Sequence, residues 1–206
     1  MDERRPVLSR HAVVGAAVKI ADADGLSAVS IRRVAAELGA RTMSLYSHID
    51  GKDDLLHLMR ERVAGETIIR GDLPDDWRAA TRRIANRLRE TILRHSWVIH
   101  LLGHSGHIGP NTLRHLEQSL RALTRLTPDP RAALYIAIAV DQYVLGHVTA
   151  EVTRRPALAH PYTRMLLDGG EFPTLAPLVA GGLPRAADSF ERGLTWLLNG
   201  IEAAHR

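Results

Sequence analysis

Apolar residues recur at three- and four-residue intervals through most of the chain, the spacing of helices buried on one side. Ser9 predicts an N-cap for a first helix that turns Val13, Ala17, Ile20 and Ala21 inward. Gly25 predicts its left-handed stop, with Leu26 packing back. Ser30 opens a second helix burying Ile31, Val34, Ala35 and Leu38, and Gly39 ends it. A short third helix sets Leu45 and Ile49 one turn apart. Asp50 is placed to cap a fourth at 51–66, with Asp53 three residues on and Leu55, Leu56, Met59 and Val63 inside. Gly71 to Pro74 marks a boundary, after which Trp77, Ile84, Leu88 and Ile92 stripe a fifth helix. Leu113, Leu116, Leu120 and Leu123 stripe another. From Ala132 to Val148 a helix opened by Asp129 and Pro130 is apolar on almost every side, which suits a central or interface element. Residues 154–185 hold five of the ten prolines and four of the sixteen glycines, so they predict a flexible connection with one short helix near 161–167. Phe190, Leu194, Leu197, Leu198 and Ile201 mark the last helix.

No alternating strand pattern competes, so the fold class is all-α. Its expected layout is a three-helix helix-turn-helix head at 1–50 and a helical bundle at 51–206, with 51–66 as connector. Two short helices joined by a glycine turn are the physical minimum for seating a helix in the DNA major groove. Within 31–49, Ala35 is small where two helices cross, Gly39 supplies the turn, and Leu45 plugs the third helix onto the core. That leaves Arg41, Thr42, Met43, Ser44 and Ser47 facing outward. Arginine and hydroxyl groups suit base edges, and a methionine can meet a thymine methyl. Arg32 and Arg33 lie within reach of phosphates, and Lys52 sits in the first turn of the fourth helix beside free backbone N–H groups.

Charge adds little to this. The net charge is +4, yet residues 1–70 hold eleven Lys/Arg against ten Asp/Glu, so placement rather than total must carry DNA binding. The absence of cysteine excludes a disulfide scaffold and thiolate chemistry. The opening MDERRPVLSR has no apolar core, and the longest wholly apolar run, Ala132–Val140, is nine residues. A spanning helix needs about 20, so a soluble cytoplasmic protein with no membrane partner is expected.

The stretch LSRHAVVGAAVKIADADGLSAVSIRRVAAELGARTMSLYSHIDGKDDLLHLM resembles the DNA-binding head of TetR regulators, most specifically in SLYSHIDGKDDLL. More loosely, LRHSWVIHLLGHSGHIGPNTLRHLEQSL and YVLGHVTAEV resemble the regulatory domain of the tetracycline-repressor subgroup. The resemblance implies a homodimer reading a palindromic double-stranded operator. At matching positions it implies DNA contacts by Arg32, Thr42, Ser44, Tyr46, His48 and Lys52, beside Ser30 at the start of the second helix. It further implies that the 132–148 helix and the last helix pair across a two-fold. A small-molecule effector would bind in the body and shift the connector, releasing a repressor. His100 falls where the tetracycline repressor has a ligand-site histidine, but the acid expected one turn after Gly146 is replaced by Ala150, with Glu151 one place off.

For that effector, Trp97, His100, His104 and Gln142 form the expected pocket, because glycines and histidines interrupt otherwise leucine-rich helices there. His100, His104 and His107 also share metal-ligand spacing, so pocket wall and metal site both stand as readings. Asp141 and Gln142 interrupt an apolar run and belong either to an interface or to a ligand. Two rival classes are a histidine-metal-dependent helical enzyme and a helical protein-binding adaptor. No His-Glu-x-x-His motif, nucleophile elbow or phosphate loop favours the enzyme, and no cofactor is expected.

Overall fold

The computed structural model describes residues 8–101, 108–153, 160–182 and 186–205. Among them there are helices and turns and no strand. Helix α1 (Arg10–Asp24) begins where the Ser9 hydroxyl accepts from Ala12 N at 3.2 Å, and it ends at Gly25, whose φ of 82° only glycine adopts without strain. A 3-10 turn (Leu26–Ala28) leads to α2 (Ile31–Glu37), capped by Ser30 accepting from Arg33 N at 3.2 Å. Then come α3 (Thr42–Leu45) and α4 (Lys52–Glu66). Here the expected cap is inverted: Asp54 on α4 reaches back to accept from Asp50 N at 3.0 Å, and Gly51 is the N-cap. The body is α5 (Trp77–Arg94), a 3-10 turn (Ser96–Leu101), α6 (Pro110–Leu123), α7 (Pro130–Thr153), α8 (Pro161–Asp168), α9 (Leu175–Ala180) and α10 (Ala186–Ala204). The connection between α7 and α10 thus holds two short helices, where the proline and glycine content pointed to one.

Apolar packing divides into two main clusters. The first joins α1–α3 to Leu55, Met59 and Val63 of α4 and to Trp97, Val98 and Leu101 of the second 3-10 turn. The head therefore continues past residue 50 and rests on the body through α4 and that turn. The second cluster joins α5, α7 and α10 through Leu88, Ile92, Ile136, Val140, Val144, Phe190 and Leu194. By length and composition α7 could span a membrane. Yet Ala133, Ile136, Ala137, Val140, Val144 and Val148 bury one of its faces in the body core, which accounts for its apolar character.

Helix α6 follows its leucine stripe at Leu116, Leu120 and Leu123, which pack on the body core, and departs from it elsewhere. Leu123 is buried, but Leu113 is 53% exposed, while His115 and Ser119 face inward. The face is decided by partners: His115 meets Thr67 and Asp141, so its burial is hydrogen-bonded and tolerable.

Candidate DNA-binding face and the connector to the body

Leu45 and Ile49 are at most 1% exposed, and they pin α3 so that its other side points away from the core. Arg41, Met43, Ser44, Tyr46 and Ser47 are exposed, Thr42 and His48 half-buried. Arg41 is the N-cap residue of α3, with extended backbone, and Met43 is 77% exposed. Arg32 and Lys52 flank this helix, both exposed.

Four of the predicted contact residues also have internal work. Ser30 caps α2. Arg33 is paired with Asp24, so part of its charge is already met within the head. The Ser47 hydroxyl donates to Ser44 O at 2.8 Å, and the His48 carbonyl accepts from Arg10 Nε at 2.9 Å. Lys52 shares its helix turn with Asp53 and Asp54, which offset the N-terminal dipole that would draw a phosphate.

Several polar contacts bind α4 to the body; three of them involve buried side chains, and sequence reasoning missed all three. First, Glu61 is 6% exposed, and its carboxylate accepts from Asn111 N at 2.8 Å and Thr112 Oγ1 at 2.5 Å. Its own carbonyl accepts from Asn111 Nδ2 at 2.9 Å. The free N–H groups of the α6 N-terminus satisfy the buried charge. Gly109 is required by this closeness, since a Cβ there would lie 2.2 Å from the Glu61 carboxyl carbon. Second, Thr67 at the end of α4 meets His115 Nδ1 at 2.9 Å, and His115 Nε2 donates to Asp141 Oδ1 at 3.3 Å, the tautomer being assigned from this network. Third, His95 is buried between two carboxylates, Asp22 of α1 at 2.7 Å and Glu66 of α4 at 3.3 Å. Glu61 interrupting an apolar helix face was the one visible signal. The His95 and His115 pairings join residues far apart in the chain and left none.

Of the expected ligand residues, Trp97, His100 and Gln142 lie among those described. Trp97 is 4% exposed and donates its indole N–H to Asp22 at 2.6 Å, sealing head to body. His100 and Gln142 are both exposed. His104 and His107 lie outside the described residues. Polar groups instead gather between α5, α6 and α7, where Thr81, Ser119 and Asp141 line a void of about 10 Å³ with Ile84, Ala137 and Val140. That is room for roughly one water. The Thr81 hydroxyl is buried there without a hydrogen-bond partner. Glu151, beside the position where the resemblance expected an acid, is taken by Arg89 at 2.7 and 2.9 Å.

Comparison with known proteins agrees with this architecture. The family model described as Tetracyclin repressor-like, C-terminal domain, matches residues 70–205. The HTH-type transcriptional repressor DrrR1 of Streptomyces coeruleorubidus is 36% identical, over 96% of this chain and 78% of that protein. The class D tetracycline repressor of Escherichia coli is 30% identical, over 73% of this chain and 72% of its own length. Among solved structures, Streptomyces coelicolor ActR in complex with (S)-DNPA superposes with a TM-score of 0.81 at 25% identity, covering 97% of this chain and 99% of that one. The fold and its relatives are those of an all-helical transcriptional regulator. The chain belongs to the TetR family of transcriptional regulators.

Proposed function

We propose that this chain is a repressor that holds a palindromic operator as a homodimer in the cytoplasm and leaves it when a small molecule enters the body. The observation that carries the reading is the double attachment of α4. Its apolar face belongs to the head's core, and Glu61 and Thr67 tie its other side to α6. Anything that separates α6 from α5 and α7 therefore pulls on the element that places the recognition helix.

Arg41, Thr42, Met43 and Ser44 are the base-reading set, and Arg32, Tyr46 and Lys52 hold phosphates. The exposed Tyr135 and Ile138 of α7 and Trp196 of α10 support pairing of these two helices across a two-fold, which would match the operator's symmetry. The effector enters between α5, α6 and α7, where Thr81, His115, Ser119 and Asp141 supply polar contacts within apolar walls. ActR has been crystallised with (S)-DNPA and with actinorhodin, and these are the first compounds to try.

Operator titrations with and without actinorhodin test the proposal. The wild-type protein should bind two chains per palindrome, and the compound should weaken that binding by a coupling of about 1–3 kcal/mol. Glu61→Gln, which removes the charge at the α4–α6 attachment, should shrink the coupling while each separate affinity changes little. Full coupling in Glu61→Gln would show that α4 is not the route. One chain per palindrome would remove the homodimer.

A further inference from the structure

Outside the core, a second and larger concavity runs between the end of α4 and the outer face of α5. Its volume is about 940 Å³. That is the upper end of the roughly 300–1,000 Å³ range of small-molecule sites. It shares no lining residue with the void between α5, α6 and α7. Apolar surface comes from Ile68, Ile69, Pro74 and Ala79, and charge from Arg70, Arg82, Arg83 and Arg87 against Glu66 and Glu90.

The way these charges are held decides what the cleft can bind. Arg82 is spoken for, since Glu191 and Thr195 of α10 take its guanidinium. Glu66 is spoken for as well, by Arg94 at 2.8 Å and by His95. Arg83 and Arg87 are different. Arg83 donates to the Asp72 carbonyl at 3.1 Å, and Arg87 Nε donates to the Glu66 carbonyl at 2.7 Å. A backbone carbonyl orients a guanidinium without neutralising it. Each arginine is therefore preorganised, keeps its full charge, and has N–H groups left over. Arg70, exposed at the rim, adds a third positive charge, and Glu90 is the one lining acid not paired elsewhere. Fixed, uncompensated arginines beside apolar surface suit a planar anion carried on an apolar body.

We propose that this cleft is a second ligand site, taking small molecules that carry a carboxylate on an apolar or aromatic body, with Arg83 and Arg87 as the anion clamp and Arg70 closing the rim. The site lies on the α4–α5 connection. One carbonyl that holds the clamp is on Glu66, the last residue of α4, and the other is on Asp72 in that connection, so an acid bound there would stiffen the end of the helix that carries the head. The inference is independent of the inner effector site.

Calorimetric titration of the full-length protein with naphthalene-2-carboxylate and with its neutral amide, naphthalene-2-carboxamide, tests it. The acid should bind about tenfold more tightly than the amide, the worth of one charge-assisted hydrogen-bond set. Arg83→Gln and Arg87→Gln should each erase that preference, while thermal melts confirm that both variants stay folded. Ser119→Ala and Asp141→Asn, in the inner site, should leave it intact. Three results overturn the proposal: equal binding of acid and amide, an acid preference that disappears with the inner-site variants and survives loss of the arginines, or no saturable binding of the acid up to about 1 mM.

Discussion

In the head, Val13, Ala17, Val34, Leu45 and Ile49 meet with 1% or less of their surfaces exposed. In the connector and body, Glu61, Thr67, Thr81, Thr91, His95, His115 and Ser119 are buried among the apolar side chains, and no buried polar residue among those described precedes Glu61. The difference follows from what each region must do. A head that reads DNA needs one geometry, and close-packed aliphatic groups give a single well-defined arrangement. A body that responds to a ligand needs a second arrangement within a few kcal/mol. Polar groups with alternative partners bring that arrangement within reach.

The harshest way to break the contrast is to loosen the head. Leu45→Ala removes the plug beneath α3, at a site with no exposed surface through which the chain could adjust. It should cost about 2–5 kcal/mol of stability, the range of buried leucine truncations. Operator binding should fall at temperatures where circular dichroism still reports a folded body. Retention of full operator affinity would mean that α3 is positioned by something other than the aliphatic core.

A milder change sharpens the head's own division of labour. Arg41→Ala should cost about 1–3 kcal/mol and relax preference at one base pair of each half-site. Lys52→Ala should weaken every sequence equally and flatten the salt dependence. Gel shifts with half-sites randomised one position at a time separate the two outcomes. A uniform loss from Arg41→Ala would make it a phosphate contact.

The same contrast explains which features could be read before the structure was known. The head was legible almost residue by residue, because its signals are local: Ser9 and Ser30 cap, Gly25 and Gly39 take φ of 82° and 61°, and Leu45 and Ile49 are buried. The body's helices were legible as elements, and the inward face of α6 was legible only in part. Leu116, Leu120 and Leu123 pack on the body core as a leucine stripe should, and His115 and Ser119 share the inward side because Thr67 and Asp141 give His115 partners and the His115 carbonyl accepts from Ser119. The surroundings of Trp97 were hidden for the same reason. Its partner Asp22 lies in α1, and no spacing rule connects them. Long-range hydrogen bonds between side chains leave no periodicity in the chain.

The smallest effect expected is a gain, and it tests whether the body's polar interior is kept for function. Thr81 and Thr91 both hold hydroxyl oxygens that are buried without a partner, with side chains 5% and 0% exposed. Valine has nearly the same shape and no hydroxyl to desolvate. Each Thr→Val change should therefore stabilise the protein by about 1 kcal/mol, the low end of the penalty for an unsatisfied buried polar group. The two sites should then diverge. Thr81 lines the void between α5, α6 and α7, and Thr91 is not among its lining residues. Thr91→Val should raise the melting temperature and leave effector affinity unchanged. Thr81→Val should raise it similarly and weaken the effector, because the hydroxyl left unpaired in the empty protein is the one a ligand would satisfy. Thermal melts with and without actinorhodin read both quantities in one series. If Thr81→Val stabilises the empty protein and the ligand shift is the same size as in the wild type, the unpaired hydroxyl is not part of the effector site.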